Sequence, residues 1–229
     1  MRDDICSIPV SEVFEPKEGC PICTMQNMLE ERMLEYIMGA AMMEPDVRIE
    51  TNKKGFCLNH YQKMLKRRNR LSIGLIMDSH LKELKGELFP KSLFKSDPKK
   101  QAAKINEKLS SCFVCEKIEW GMARLIDTVY RLYGHERDFR ELFSKQECLC
   151  LPHYASLLDD SKKIDKRYQS EFAKECERLA FEYLKTLSND VEHFTKMFDY
   201  RNTGEDADWG NSKDSIERAV WTLTSQKPN

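Results

Sequence analysis

Cysteine and histidine residues recur in this chain at the spacing of metal ligands. Two CxxC pairs alternate with two CxxH pairs, in the order Cys20 and Cys23, Cys57 and His60, Cys112 and Cys115, Cys150 and His153. Two intervening residues form a tight turn that lets both side chains of a pair bind one ion, and three thiolates with one imidazole are the ligand set of a closed, tetrahedral structural zinc site. The sequence therefore predicts two zinc ions.

The metal motifs belong to a longer internal repeat. The sequence "DVRIETNKKGFCLNHY" can be laid over "DFRELFSKQECLCLPHY" with one inserted residue, which pairs Tyr61 with Tyr154. A repeat predicts two tandem modules, each of which closes its own site. The predicted first site contains Cys20, Cys23, Cys57 and His60, and the second contains Cys112, Cys115, Cys150 and His153. Cys148 lies close enough to Cys150 to replace it as the ligand.

Two other states of these cysteines stay open. Iron–sulfur clusters prefer four thiolates, so a histidine makes them a weaker alternative than zinc. Free thiols without a metal are the other alternative. Covalent haem attachment requires CxxCH, whereas Thr24 and Glu116 follow the two CxxC pairs. Zinc is the preferred interpretation.

Hydrophobic periodicity predicts the helices that position the motifs. Apolar residues recur at helical spacing over residues 24–43, 61–88 and 164–198. A helix of twenty residues advances about 30 Å, so residues 44–56 must run mostly extended to bring Cys57 back to the first CxxC pair. The segment "ICSIPVSEVF" is the one candidate for a short strand.

The predicted fold is all-α. Two tandem helical-hairpin modules, residues 1–88 and 109–200, each carry a CxxC…CxxH zinc site and pack as a helical bundle. Residues 89–108 contain prolines, serines and several lysines and are predicted to form a polar connector. Residues 201–229 are predicted to form a C-terminal loop and a helix.

Composition and charge exclude several classes of protein. The chain of 229 residues has 37 basic and 38 acidic residues, and this net charge of −1 gives no overall field for nucleic acid or membranes. No apolar stretch approaches the roughly 20 residues of a membrane span, and the N-terminus lacks a signal peptide. The odd count of nine cysteines argues against a secreted disulfide framework. We therefore expect a cytoplasmic protein with reduced thiols.

The repeated CPxC…GFCxxHY pattern and the "FDYRN…W…DSIERA" ending support a family resemblance. The chain resembles an uncharacterised family of bacterial cytoplasmic proteins grouped as a domain of unknown function. The resemblance covers nearly the full length. It implies the predicted architecture and no established activity.

A non-enzymatic role is the preferred hypothesis for function. No Ser/His/Asp set, glycine-rich phosphate loop or HExxH motif is present, and sites with four protein ligands lack the open position of catalytic zinc. The protein is predicted to be a zinc-stabilised interaction or regulatory module with a protein partner. Arg67, Arg68, Arg201 and Trp209 are the candidate interaction surface. A thiol or zinc redox sensor is the main alternative, followed by a nucleic-acid-binding regulator and a metalloenzyme.

Overall fold

The computed structural model describes residues 7–90, 97–199 and 208–226. Within these ranges the chain forms eleven α-helices, two short 3₁₀ helices and no strand, so the all-α prediction is confirmed. The helices are α1 Ser7–Phe14, α2 Pro21–Met38, α3 Pro45–Lys54, α4 Leu58–Lys66, α5 Arg70–Leu88, α6 Pro98–Ser110, α7 Phe113–His135, α8 Arg137–Ser144, α9 Leu151–Asp159, α10 Gln169–Lys196 and α11 Ser215–Thr224. None of the helices in the described ranges has both the length and the apolar character needed to cross a membrane.

Two local predictions differ from the structure near the first CxxC and CxxH motifs. From Ser7 onward the candidate strand is instead α1, because Val10 and Phe14 lie one helical turn apart and both are fully buried. The first two residues of that segment lie outside the described residues. The single helix predicted over residues 61–88 is divided into α4 and α5. Asn69 causes the break, since its side chain caps α5 by accepting a hydrogen bond from the Ser72 amide at 3.2 Å.

The connection predicted to be extended, residues 44–56, is mostly the helix α3. Pro45 occupies its first turn, where proline is favoured, and Lys53 and Lys54 occupy its last turn. Gly55 ends α3 with a φ of 61°, and its amide donates to the carbonyl of Thr51. A helix of ten residues spans about 15 Å, whereas the eighteen residues of α2 advance the chain about 27 Å. A helical α3 therefore covers less distance than the extended segment that the prediction required.

The described helices form two compact units. The terminal unit contains residues 1–27 and 123–229, and the central unit contains residues 28–122. Both boundaries lie inside helices, in α2 and α7, so each of these helices contributes to both units. This grouping differs from the tandem boundaries expected from the repeat. In the expected connector, α6 is helical, and the side chain of Asp97 caps it at the Lys99 amide.

Each unit has its own hydrophobic core. The core of the terminal unit is aromatic: the ring centroids of Tyr133 and Phe172 are 4.8 Å apart, and Phe143 lies within 6 Å of both. The core of the central unit is mainly aliphatic and is formed by Leu34, Ile37, Met38, Phe56, Met64, Ile73, Ile76, Phe113 and Val114. The ends of α4 and α7 that carry metal motifs are therefore anchored in the central core.

Candidate metal centres

The eight predicted ligands form two clusters of four within the described residues. The terminal cluster consists of Cys20, Cys23, Cys150 and His153, and the central cluster consists of Cys57, His60, Cys112 and Cys115. In each cluster the four ligand atoms lie within 4.8 Å of one another, so each could hold one metal ion. Each cluster contains the predicted three cysteines and one histidine. The pairing of the motifs differs from the prediction. Each CxxC pair meets the CxxH pair of the other repeat.

The terminal cluster is compact and buried. The Nδ1 atom of His153 lies 3.2 Å from Cys23 Sγ and 3.1 Å from Cys150 Sγ. Cys20 Sγ is 3.8 Å from the same nitrogen, and all four residues are buried. Cys148 is also fully buried but does not belong to the cluster, so the structure selects Cys150 of the two candidate ligands.

The central cluster has similar distances and more exposure to solvent. The Nδ1 atom of His60 lies 3.1 Å from Cys57 Sγ, 3.3 Å from Cys112 Sγ and 3.5 Å from Cys115 Sγ. His60 is buried, Cys57 and Cys112 are half-buried, and Cys115 is exposed. The two candidate centres are therefore alike in ligand geometry and unlike in access.

None of the cluster cysteines is in a disulfide. The Cys23 and Cys150 sulfurs are 3.5 Å apart, and those of Cys57 and Cys115 are 3.8 Å apart, whereas a disulfide bond is about 2.05 Å. These separations are those of thiols that face a common point. The cysteines are therefore free to bind an ion.

Every one of the four motifs begins a helix. Cys20, Cys57, Cys112 and Cys150 directly precede α2, α4, α7 and α9. In each motif the carbonyl of this cysteine accepts a hydrogen bond from the amide four residues later in the sequence, which closes the first helical turn. The amide of Tyr61, for example, donates to the carbonyl of Cys57. A helix N-terminus carries partial positive charge and favours thiolate over thiol. Two such N-termini meet at each cluster, which favours the anionic ligands that a metal cation needs.

Hydrogen bonds also favour the ionised form of one cysteine in each cluster. Burial raises the pKa of Cys20, but hydrogen bonds hold this pKa well below its ordinary value. The largest of these hydrogen-bond contributions comes from Cys150. Burial likewise raises the pKa of Cys112, and hydrogen bonding, first with His60, lowers it to about 6. Hydrogen bonding thus favours the thiolate form of one cysteine in each cluster.

The outer nitrogen of each cluster histidine lies close to a side-chain oxygen. His153 Nε2 lies 3.1 Å from Gln26 Oε1, and His60 Nε2 lies 2.9 Å from Glu30 Oε1. Such a partner fixes the ring orientation and places the proton on Nε2, which leaves Nδ1 free to bind a metal. Hydrogen bonding from His60, together with Lys63, lowers the pKa of Glu30. Sequence analysis missed both of these side chains, because no motif spacing connects them to a histidine.

The loop before Cys57 is joined to the start of α7 by one backbone and one side-chain hydrogen bond. The Phe113 amide donates to the Gly55 carbonyl at 3.0 Å, and the Ser111 hydroxyl donates to the Lys54 carbonyl at 2.6 Å. Beneath this loop, His80 is buried, and its Nδ1 lies 2.7 Å from the carbonyl of Asn52. The protein itself therefore holds the two halves of the central cluster together.

Of the predicted interaction residues, Arg67 and Arg68 belong to the central unit and Trp209 belongs to the terminal unit. Arg67 donates to Glu31 at 2.6 Å, and Arg68 is exposed. Trp209 packs between Phe194 and Phe198, with both centroid separations at 5.8 Å. Trp209 thus holds its loop against α10. Arg201 lies outside the described residues.

The fold and the clusters define an all-α protein with two Cys₃His sites, each able to hold a metal ion. Residues 1–229 match the family of unknown function DUF6062, and the chain belongs to that family. No curated protein and no solved structure matches the chain.

Proposed function

We propose that this protein is a non-enzymatic cytoplasmic interaction module whose helices are held together by two zinc ions, one in each cluster. The observation that supports this most directly is the meeting of four ligand atoms at the N-termini of two helices, twice in one chain. In each case the metal joins segments far apart in sequence. A structural zinc ion contributes its binding free energy to folding in this way.

The distances between ligand atoms favour zinc. Tetrahedral zinc with Zn–S bonds of about 2.3 Å and Zn–N bonds of about 2.0–2.1 Å separates neighbouring ligand atoms by about 3.5–3.8 Å. In each cluster four of the six pairs of ligand atoms lie 3.1 to 3.8 Å apart, and all six lie within 4.8 Å. An iron–sulfur cluster would spread its ligands over two or more irons, so a compact set suits a single ion better.

The ligand count favours a structural role for the metal over a catalytic one. Three cysteines and one histidine fill a tetrahedral zinc site, whereas catalytic zinc keeps a position for water or substrate. The terminal cluster, with all four residues buried, fits a closed site well. Zinc would fix the starts of α2 and α9 to each other in the terminal unit, and the starts of α4 and α7 in the central unit.

An apolar face on α11 supports the interaction role. Ile216, Val220 and Leu223 recur at the i, i+4, i+7 spacing of one helix face and are 41%, 41% and 61% exposed. The face continues into a groove of about 210 Å³ between α10 and α11, lined by Leu184, Leu187, Ser188, Val191, Ala219, Thr222 and Leu223. The occupant that we propose is an amphipathic helix of a protein partner, which would place apolar side chains in this groove.

Elemental mass spectrometry on protein purified under reducing conditions tests the metal assignment. The expected result is two zinc ions per chain. Iron in stoichiometric amount, or no metal in fully reduced protein, would overturn it.

The interaction role is tested by comparing partners captured by the wild type and by Val220→Glu. We expect this variant to lose a specific partner while it keeps two zinc ions and its helical content. Leu109→Glu is the matched control, because Leu109 is 77% exposed on α6 in the central unit. Equal loss with both variants, or no loss with Val220→Glu, would count against the α11 surface.

Nucleic-acid binding has weaker support. In the basic stretch that motivated it, Lys63 pairs with Glu30, and Arg67 pairs with Glu31. These carboxylates offset part of the positive charge that a phosphate backbone would require.

A further inference from the structure

The two clusters offer the same ligands with different access from solvent. In the terminal cluster Cys20 is 1% exposed, Cys23 is 4% exposed and Cys150 is 0% exposed. In the central cluster Cys115 is exposed and Cys57 is half-buried. Oxidation of a cysteine requires both thiolate character and contact with the oxidant. Cysteines that bind a metal do so as thiolates, so the cysteines of both clusters share this property. The two clusters therefore differ in how accessible their sulfurs are to the oxidant.

We propose that the central cluster is an oxidation site at which a hydroperoxide converts Cys57 and Cys115 to a disulfide and releases zinc, while the terminal cluster keeps its zinc. This inference rests on the proposed function, since it needs zinc in both clusters. Hydrogen peroxide is the simplest hydroperoxide and supplies the oxidising equivalents.

The reaction has two steps. The Cys115 thiolate attacks one oxygen of the peroxide, the O–O bond breaks, and the products are a sulfenic acid at Cys115 and hydroxide. The Cys57 thiolate then attacks the sulfenic sulfur, forms the S–S bond and displaces a second hydroxide. Two thiolates have lost two electrons, the peroxide has gained them, and two protons from solvent convert the hydroxides to water. Zinc keeps only Cys112 and His60 as protein ligands.

Geometry assigns Cys57 as the second cysteine. Its sulfur lies 3.8 Å from Cys115 Sγ. Cys57 directly precedes α4 and Cys115 lies in the first turn of α7, so Cys57 can shift without unwinding the turn that holds Cys115. After zinc is lost, the loop before α4 is joined to the start of α7 by hydrogen bonds such as Phe113 amide to Gly55 carbonyl. The disulfide would preserve that connection and make the reaction reversible by thiols.

The terminal cluster provides an internal control that could disprove the idea. Its Cys23 and Cys150 sulfurs are 3.5 Å apart, closer than the pair in the central cluster. A cavity of about 570 Å³ is also lined in part by Cys20 and Cys23. If sulfur proximity or a nearby cavity governed oxidation, this cluster would react first. If exposure of the sulfur governs it, the central cluster reacts first.

The test treats the reduced, zinc-loaded full chain with hydrogen peroxide, follows zinc release with a chromogenic chelator, and maps cysteines by differential alkylation and peptide mass spectrometry. We expect one of the two zinc ions to be released at least about tenfold faster than the other, because access controls the reaction with a thiolate. The peptides of Cys57 and Cys115 should become cross-linked while Cys23 and Cys150 still react as free thiols. Release of both ions at one rate, oxidation of the terminal cysteines first, or a Cys112–Cys115 disulfide would overturn the proposal.

Two variants separate this proposal from the proposed function. Cys115→Ser should keep only the terminal zinc and release it slowly, whereas Cys23→Ser should keep only the central zinc and release it at the fast rate. If neither variant folds, the mapping of the wild type decides the question alone. If the reduced wild type contains no zinc, both the structural-zinc function and the selective oxidation of the central cluster are refuted. If it contains two zinc ions and peroxide releases them at the same rate, only the selective oxidation is refuted.

Discussion

Cys23 Sγ lies 3.5 Å from Cys150 Sγ, although 127 residues separate them in the sequence. Cys57 and Cys115 are related in the same way across 58 residues, with their sulfurs 3.8 Å apart. Each candidate centre therefore joins the CxxC pair of one repeat to the CxxH pair of the other. A metal ion bound there would close long loops, whose entropic cost its binding free energy would offset.

The exchanged grouping predicts the zinc content of double variants. Cys23→Ser with Cys150→Ser removes two ligands from one cluster, so this variant should retain one zinc ion. Cys23→Ser with Cys57→Ser damages both clusters and should retain none. Elemental mass spectrometry on reduced protein measures both values. Tandem sites would give the opposite results, with one zinc for the second variant and none for the first.

Glu30→Gln should weaken metal binding at the central cluster alone. The Oε1 atom of Glu30 lies 2.9 Å from His60 Nε2, and loss of such a partner typically costs about 10–100-fold in metal affinity. Competition with a chelator of known affinity would measure the change. Glu31→Gln is the matched control, because Glu31 pairs with Arg67 and has no contact with a cluster histidine. Equal affinities for the two variants would argue against a role for Glu30.

Gly55→Ala should destabilise the central unit. The φ of Gly55 is +61°, and an added Cβ would come within 2.8 Å of His80 Nε2. Backbone strain of this kind costs about 1–3 kcal/mol. In Gly74→Ala, by contrast, the new methyl group meets nothing within 4 Å inside α5, and we expect a gain of about 0.5–1 kcal/mol. Urea unfolding of the two variants should therefore shift in opposite directions, and a neutral Gly55→Ala would contradict the expectation.

Phe143→Ala should be among the most destabilising changes in the terminal unit. Phe143 is fully buried, and its ring contacts those of Phe14, Tyr133 and Phe172. Truncation of a buried phenylalanine to alanine costs about 3–5 kcal/mol in the free energy of unfolding. Phe181→Ala is the control, since Phe181 is 64% exposed and such a change stays within about 0.5 kcal/mol. Denaturant unfolding compares them, and similar midpoints would show that the aromatic core is not the stabilising element.

Much of the fold was predictable because its signals are local. The apolar period over residues 24–43 predicted α2, which is observed as Pro21–Met38. The ends of the helices were predicted less well where a capping interaction or the backbone conformation of one residue ends the helix. The break at Asn69 depends on a side-chain cap and lies inside the apolar pattern of residues 61–88. The end of α3 at Gly55 depends on a positive φ and lies in a segment predicted to be extended.

The sequence by itself determined which residues form the candidate centres, because residue type and CxxC or CxxH spacing are local properties of the first turn of a helix. Tertiary structure alone decided their grouping, since a choice between Cys57 and Cys150 as partner of Cys23 depends on where whole helices lie. The segment before Cys57 is the helix α3 and not an extended return, and the CxxH pair of the other repeat completes the cluster of Cys20 and Cys23. Tertiary structure likewise decided that Cys115 is exposed and Cys23 is buried, because exposure depends on neighbouring side chains that motif spacing does not specify.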